Sequence, residues 1–470
     1  MSSTAIVWFR RDLRVHDHPA LTAAARGADR VVPVFVLDEA LLRGRFESGP
    51  RARFLLGCLR VLRASLRERG ANLVVRSGAP EEELAALARE TGAGELHFAS
   101  DVSGFAMARD HRVEAAMAAE DVEVVRHPGL FVADVGKPRT KGGKPYSVFS
   151  PFWRAWAQLD RREVHGAPRS LALPAGVKVG GRDLADALGL PADVPDPFPP
   201  GEAAGRERMH TWLSDGIADY ADRHDRLQGG TSELSPYLHL GCISPRELER
   251  RARDAGAGKG PSEFVRQLCW RDFYAHVLLH NPGNARHAHQ RAMDELEWED
   301  DDEAFEAWCD GRTGFPVVDA GMRQLAACGW IHNRARLIVA SFLTKDLHID
   351  WRRGEAHFMR LLADGDEGSN NGNWQWITSI GVDPAPYFRR MYNPATQQER
   401  HDPEGVYVRR WVPELRDVPL ERLSEPWTMT DDEQEAAGCV IGRDYPEPIV
   451  DHKLERERAM ARYRAVRGGA

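Results

Sequence analysis

Thirteen residues, DGDEGSNNGNWQW from Asp364 to Trp376, combine acids, small amides and two indoles in a stretch too polar for a core helix and too aromatic for a loop. Chemistry of this kind suits a flat, electron-accepting ring. Asp364 and Asp366 can accept hydrogen bonds from ring or ribose donors, Asn370 and Asn371 offer donors and acceptors together, and Trp374 and Trp376 supply stacking faces. The chain carries 13 Trp against 9 Tyr, an inversion of ordinary usage that favours bulky packing or electron transfer through indoles.

Three further stretches carry candidate chemistry, each with a plainer reading beside it. TSELSPYLHLG (231–241) places Thr231, Ser232 and Ser235 around Pro236 at a helix start, which makes a phosphate seat or a simple N-cap. LCWRDFYAHVL (268–278) puts Trp270 and Arg271 on a helix, where Arg271 could meet a phosphate and Trp270 could be core. GWIHNRAR (329–336) puts Asn333 at a helix start, where capping alone would explain it, and Arg336 could pair with Asp364 as a structural salt bridge. Arginines 334, 336, 389, 390, 409 and 410 could form a basic face, but for any one of them a solvated surface is the better expectation.

The elements that must position these residues fall into two patterns. In the first 130 residues, β-branched runs at 5–9, 31–37, 72–76, 95–99 and 122–126 alternate with helical patterns near 18–27, 50–70, 80–91 and 104–119. Strand followed by helix, repeated, predicts a doubly wound parallel sheet of five strands. No GxGxxG follows the first strand; the turn reads RRDLRVHDHPAL instead, which argues against ordinary dinucleotide binding there. From 131 to 200 Gly and Pro dissolve the pattern into a connector, pinned to a surface by Phe152, Trp153 and Trp156. Beyond 200 helical periodicity takes over. Ala335, Ile338, Val339, Phe342 and Leu343 share one buried face, and Ser244, Pro245 and Glu247 fit a capping box.

Composition bounds the rest. A chain of 470 residues implies two domains, and 42% hydrophobic with 29% charged residues fits a globular protein without a membrane span. The start MSSTAIVWFRRD meets charge too soon for a signal peptide. Six scattered cysteines without a CxxC pair argue against zinc or a disulfide framework and for a reducing cytoplasm. The net charge of −8 neither implies nor excludes nucleic acid.

Taken together, the stretches resemble the photolyase and cryptochrome flavoprotein family, from WFRRDLRVHDHPAL (8–21) to YPEPIVDHKLERER near the C-terminus. TSxLSPYL, WRxFY, GxPxVDAxMRQL, HNRxR, DWRxGE, DGDxxxNNGxWQW and DPAPYFR all occur in order. The resemblance, most similar to class I cyclobutane pyrimidine dimer photolyases, implies an α/β antenna domain (1–130), a linker (131–200) and an all-α FAD-binding catalytic domain (201–470). It implies that Tyr220, Thr231, Ser232, Leu234, Ser235 and Arg271 hold the phosphates and ribityl chain of FAD. Asn333, Arg336, Asp364, Asp366 and Asn370 would surround the isoalloxazine, with Asn370 facing N5. Trp374, Trp351 and Trp298 occupy the family's electron-transfer triad; all three could equally be core aromatics. The implied reaction is light-driven splitting of pyrimidine dimers in UV-damaged DNA by excited FADH⁻. Trp270 and Trp376 would flank the extruded lesion, Asn333 would sit between lesion and flavin, and Arg334 and Arg389 would grip phosphates.

Two positions depart from that pattern. Gln267 stands where a dimer photolyase usually has Glu, the amide seen in the (6-4) branch, and Leu337 stands where Met is common. The (6-4) branch resembles HHxAxH with two histidines at this helix, and only His332 is present, so the dimer assignment holds. The Leu37–Asp38 segment resembles deazaflavin-binding members, making 8-HDF the first expectation for the antenna and MTHF the second. A photosensory cryptochrome is the rival of a different class. Asn370, where plant cryptochromes carry Asp, and a chain that stops soon after the last motif both weigh against it. A monomer is expected.

Overall fold

Five runs rich in β-branched, leucine and aromatic residues become five strands, and the central ones, β1 and β2, are apolar on both faces, the pattern of a sheet covered on both sides. The computed structural model describes residues 2–45, 47–180, 195, 198–383 and 386–468. The strands are β1 (Thr4–Phe9), β2 (Arg30–Leu37), β3 (Val74–Ser77), β4 (Glu95–Ala99) and β5 (Glu123–His127). They lie in the order β3-β2-β1-β4-β5, every pair parallel. The helices Pro19–Gly27, Gly49–Arg67, Pro80–Thr91 and Gly104–Ala119 supply the connections, within a few residues of the spacing expected. β3 begins at Val74, opposite Val34, and not at Asn72; the residue before Val34 is Pro33, which has no N–H for the ladder. The chain leaves β1 toward β2 on one side and β4 on the other, so the carboxyl ends of β1 and β4 form the switch point where open α/β sheets gather polar groups. Arg10, Asp12 and Asp101 stand there.

The chain divides into two compact units. Unit 1 contains Met1–Ala221, Ser232–Pro282 and Ala363–Gly368; unit 2 contains Asp222–Thr231, Gly283–Leu362 and Ser369–Ala470. This division differs from the expected boundaries at 130 and 200, and buried polar groups give the reason. Asp272, on helix Lys259–His280, accepts hydrogen bonds from the backbone N–H of Val132 and Ala133 at 3.1 Å and from Trp156 Nε1 at 2.9 Å. His276 of the same helix accepts from Tyr146 N at 3.0 Å. The connector is thereby sewn into unit 1, and it is not featureless: Phe149–Ala157 is helical, with Phe152 and Trp156 fully buried, not resting on a surface. Residues 181–194 and 196–197 of the connector lie outside the described residues.

Unit 2 is helical around one apolar core to which Trp308, Phe342, Trp351, Phe358 and Trp374 belong. In helix Asn333–Lys345 the five residues of the expected face are all buried. The expected capping box at Ser244 is half realised: Ser244 Oγ accepts from Glu247 N at 3.1 Å, but the Glu247 carboxylate is drawn to Arg206 instead of returning to the cap. A complete capping box forms at Thr430 and Glu433. Among the described residues no helix is long and apolar enough to cross a membrane.

The turn after β1 is held by a buried carboxylate. Asp12 accepts from Arg10 N at 2.8 Å and stands 3.0 Å from His18 Nε2. Burial pushes its carboxyl up, but His18, the Arg10 amide and Arg14 outweigh burial and hold it at about 2. A carboxyl depressed on folding stabilises the fold above its unfolded value near 3.8 and loses that stabilisation as pH falls toward 2. The difference corresponds to roughly 2 kcal/mol. Asp12→Asn should therefore lower stability to denaturant at pH 7 by about that amount, with the gap to the native chain closing between pH 4 and 2. Denaturation midpoints across that range check it; a gap independent of pH would refute the assignment.

Candidate functional site

In unit 1 the first cluster is built on guanidinium groups. Arg11, the second Arg of the RRD turn after β1, binds Asp366 at 2.6 Å and reaches Asp101 at 3.4 Å. Burial disfavours the Arg11 charge, but Asp101 and Asp366 overcome it and raise its pKa. Arg51 is half-buried nearby, lowered to about 10 by desolvation, with Asp364 and Asp366 pulling the other way. Arg271 donates to the Leu130 carbonyl at 2.6 Å and lies 5.3 Å from the centre of the Phe131 ring. Burial also lowers its pKa, against the pull of Asp366. Three cations and Asp364, Asp366 and Asp101 thus share one neighbourhood, in which Asp364 is buried and the other five are half-buried. His239 lies in it with Nδ1 buried and without an acceptor, kept neutral by burial and by Arg11 and Arg51.

The segment before His239 has its own geometry. Ser232 Oγ accepts from Leu234 N at 3.4 Å, and the Ser232 carbonyl accepts from Arg208 Nε at 2.9 Å. Ser235 opens a helix of five residues, Ser235–His239, behind Leu234, which has no side chain able to cap it. Tyr220 is buried edge-on between Trp212 at 5.7 Å and Phe264 at 5.4 Å. Tyr220, Ser232, Leu234, Ser235, Arg271, Asp364 and Asp366 therefore belong to unit 1, while Thr231, Asn333, Arg336 and Asn370 belong to unit 2.

In unit 2 the amides of Asp364–Trp376 are already engaged. Asn370, 9% exposed, donates from Nδ2 to the Glu355 carbonyl at 3.0 Å, which leaves its Oδ1 as the end able to face a donor. Gln375, between the two indoles, spans Asn284 O at 2.9 Å and His287 O at 3.0 Å and holds Asn371 Oδ1 at 3.1 Å. Asn333 is exposed and does not cap its helix: His332 does, with Nδ1 accepting from Arg334 N at 3.1 Å. Burial lowers His332 to about 4, so it is neutral at ordinary pH. Arg336 donates to the Ile331 carbonyl at 2.9 Å. Arg334 binds Asp225 at 2.6 Å, where burial is outweighed by Arg334 and the Asp225 carboxyl is lowered.

The indoles divide into buried and half-buried sets. Trp374 and Trp351 are buried and Trp298 half-buried in unit 2. Trp308, not singled out by any motif, is fully buried 6.2 Å from Trp374 at 70°. Trp270 and Trp376 are half-buried. In unit 1 the Phe149 ring stacks on Trp270 at 3.7 Å and 5°; in unit 2 the Arg390 guanidinium lies 3.8 Å over Trp376. Gln267 is exposed one turn before Trp270, on the same side of the helix. Arg389 is exposed, but Arg390 is buried, which corrects the expectation of a solvated surface pair. Pro384 and Ala385 of the DPAPYFR motif lie outside the described residues.

Sequence comparison agrees with this geometry. Residues 5–171 match the DNA photolyase family and residues 264–465 match the FAD binding domain of DNA photolyase. The chain belongs to the DNA photolyase family, as its motifs indicate. It is 43% identical, over 99% of both chains, to a deoxyribodipyrimidine photo-lyase of Streptomyces griseus. A bacterial class III photolyase from Agrobacterium tumefaciens superposes with a TM-score of 0.94 at 36% identity, over 100% of this chain and 98% of that one. A Synechocystis cryptochrome superposes at 0.91 with 29% identity, over 98% of this chain and 99% of that one.

Trp374 owes its place to a missing side chain. A Cβ on Gly354 would stand 2.2 Å from the Trp374 ring and 2.5 Å from Leu343 Cδ2, both in the core. Gly354→Ala should lower stability by about 1–3 kcal/mol, the cost of overpacking, and shift indole fluorescence. Urea denaturation followed by that fluorescence checks both.

Proposed function

We propose that this protein repairs DNA in light, splitting cyclobutane pyrimidine dimers with FAD as its redox cofactor. The observation that carries the reading is the pair of half-buried indoles, Trp270 and Trp376, each with one face already covered and each retaining exposed surface for an extruded base. Base–aromatic stacking on such a ring contributes about 1–3 kcal/mol per base.

The residues present fit FAD. The half-buried guanidinium and carboxylate groups of unit 1, with His239 Nδ1, unpartnered among the described residues, beside them, are the donors and acceptors that phosphates and ribityl hydroxyls require. Tyr220, Ser232, Leu234, Ser235 and Arg271 are the proposed phosphate and ribityl contacts from that unit. Thr231 adds to them from unit 2. Asp364, Asp366, Asn333 and Arg336 are proposed around the ring system. Asn370 adds an acceptor, since its Nδ2 donates to the Glu355 carbonyl and to Met359 Sδ, and an amide oxygen favours a protonated nitrogen without adding charge. When bound, FAD supplies the light absorption and the electron on which dimer splitting depends. Trp374, Trp351 and Trp298 are proposed as oxidisable indoles that pass charge in short steps within unit 2. Gln267 offers a neutral amide to the lesion edge, a weaker contact than a carboxylate. Arg389, exposed and with no ion pair among the described residues, can meet a backbone phosphate, whereas Arg334 must exchange Asp225 for one.

The (6-4) reading needs acid–base work at His332. That imidazole is buried, neutral and committed as a helix cap. We further propose a domain for an antenna within residues 1–130, a linker over 131–200 and a catalytic part over 201–470. The antenna is taken as 8-HDF, with MTHF second, and the protein as a cytoplasmic monomer.

The decisive measurement is repair of a thymine-dimer oligonucleotide by the reduced holoprotein. Restoration should require light and a dimer, with none in the dark and none on a (6-4) substrate. Absence of repair in light would overturn the proposal. Trp374→Phe should leave folding and FAD uptake intact while slowing photoreduction by about tenfold or more. Unchanged photoreduction in that variant would remove the relay.

A further inference from the structure

The Trp376 indole N–H is buried and meets no acceptor among the described residues, so no hydrogen bond seen there sets the ring's orientation. Arg390 supplies that constraint. Its guanidinium lies 3.8 Å over the ring, Nη1 donates to the Trp376 carbonyl at 2.7 Å, and Nη2 donates to the Asp383 carbonyl at 2.9 Å. One planar group therefore grips the residue by its backbone and by its face at once.

Arg390 is itself anchored. It is 4% exposed, and its carbonyl accepts from Lys345 Nζ at 2.7 Å and from Ser341 Oγ at 3.1 Å. Lys345 also donates to Ile377 O at 2.7 Å and lies 3.3 Å from Ser379 Oγ. The segment these cations hold contains two non-glycine residues in left-handed backbone, Ser379 at φ 67° and Asp383 at φ 56°. Such residues persist only where their surroundings hold them. Trp270 is backed differently, by the neutral ring of Phe149.

We propose that Arg390 is a positioning residue for lesion recognition: it fixes Trp376 with one face closed and thereby sets the preference for dimer-containing over intact DNA. The inference rests on the reading that Trp376 flanks the extruded bases. Two physical effects follow from the geometry. A ring held in place loses little rotamer freedom when a base stacks on it, so more of the stacking energy appears as affinity. A cation on the closed face also draws the ring's negative quadrupole toward itself, leaving the other face more receptive to the carbonyl oxygens of a saturated pyrimidine.

The test is equilibrium binding in the dark, with the holoprotein, of one duplex oligonucleotide with and without a single thymine dimer. Arg390→Met and Arg390→Gln should lower the ratio of dimer to intact affinity by about tenfold, within what one base stack contributes. Arg390→Lys, which keeps the charge without the fork, should give an intermediate ratio. In a Trp376→Ala background Arg390→Met should change the ratio no further, because Arg390 acts through the indole. Near-ultraviolet circular dichroism and FAD content report folding. If the Met and Gln variants do not fold, the Lys variant decides: an unchanged ratio overturns the proposal. So does an Arg390→Met effect that persists without Trp376. If Trp376→Ala alone leaves the ratio unchanged, the underlying reading of Trp376 fails; a loss in Trp376→Ala with none in the Arg390 variants sinks the positioning role alone.

Discussion

A cation taken out of water must find oxygen, and this chain repeatedly gives it main-chain carbonyls. Arg14, 1% exposed, reaches the carbonyls of Asp17 at 2.9 Å, Gly129 at 3.1 Å and Gly241 at 3.0 Å, tying three distant segments of unit 1. Lys345 does the same in unit 2 with the carbonyls of Ile377 and Arg390, and burial pushes its pKa well below the usual value. Removing one side of such an arrangement strands a charge or several carbonyls, typically a loss of about 3–5 kcal/mol. These cations place loops that have no strand or long helix to place them.

The same economy governs the polar run at 364–376. In helix Glu367–Thr378, Asn373 Nδ2 returns to Ser369 O at 2.7 Å and Thr378 Oγ1 to Trp374 O at 2.7 Å. Asn370 and Gln375 bind other segments of unit 2. A helix this rich in amides would be unstable if its polar groups only awaited a ligand, since buried unsatisfied donors cost about 1–3 kcal/mol each. Most are therefore committed to structure, and the commitment orients what remains. Asn370 illustrates the point: because its donor end is fixed, its acceptor end is fixed as well.

The sheet was legible because a period-two or continuous β-branched run admits few other readings, and four of the five strands fall where Val and Ile concentrate, β4 resting on Leu96 and Phe98 instead. The connector was not, because Gly and Pro on either side conceal the short helix Phe149–Ala157, and nothing local shows that Trp156 pairs with Asp272 across 116 residues of chain. His332 and Asn333 differ by one position, and either side chain can cap; tertiary packing selects the histidine. Arg11 was read as part of a turn, yet its partner Asp366 lies 355 residues away. Motif order revealed which residues matter, whereas their partners depend on the folded path. Arg390 shows the difference most clearly, since beside Arg389 it has every local mark of a surface residue.

Net charge of −8 then bears on how DNA can be recognised. Many arginines that could neutralise phosphates are used internally: Arg11 on Asp366, Arg334 on Asp225, Arg390 on carbonyls. Affinity drawn from counterion release grows with the number of phosphates neutralised and carries no information about damage. A chain that spends its cations inside and leaves half-buried indoles at the surface shifts the balance toward stacking. Stacking rewards a base that is already out of the helix, because the unpairing cost is lowest for a damaged site. The internal use of arginine and the discrimination proposed for the indoles are thus two consequences of one allocation of charge.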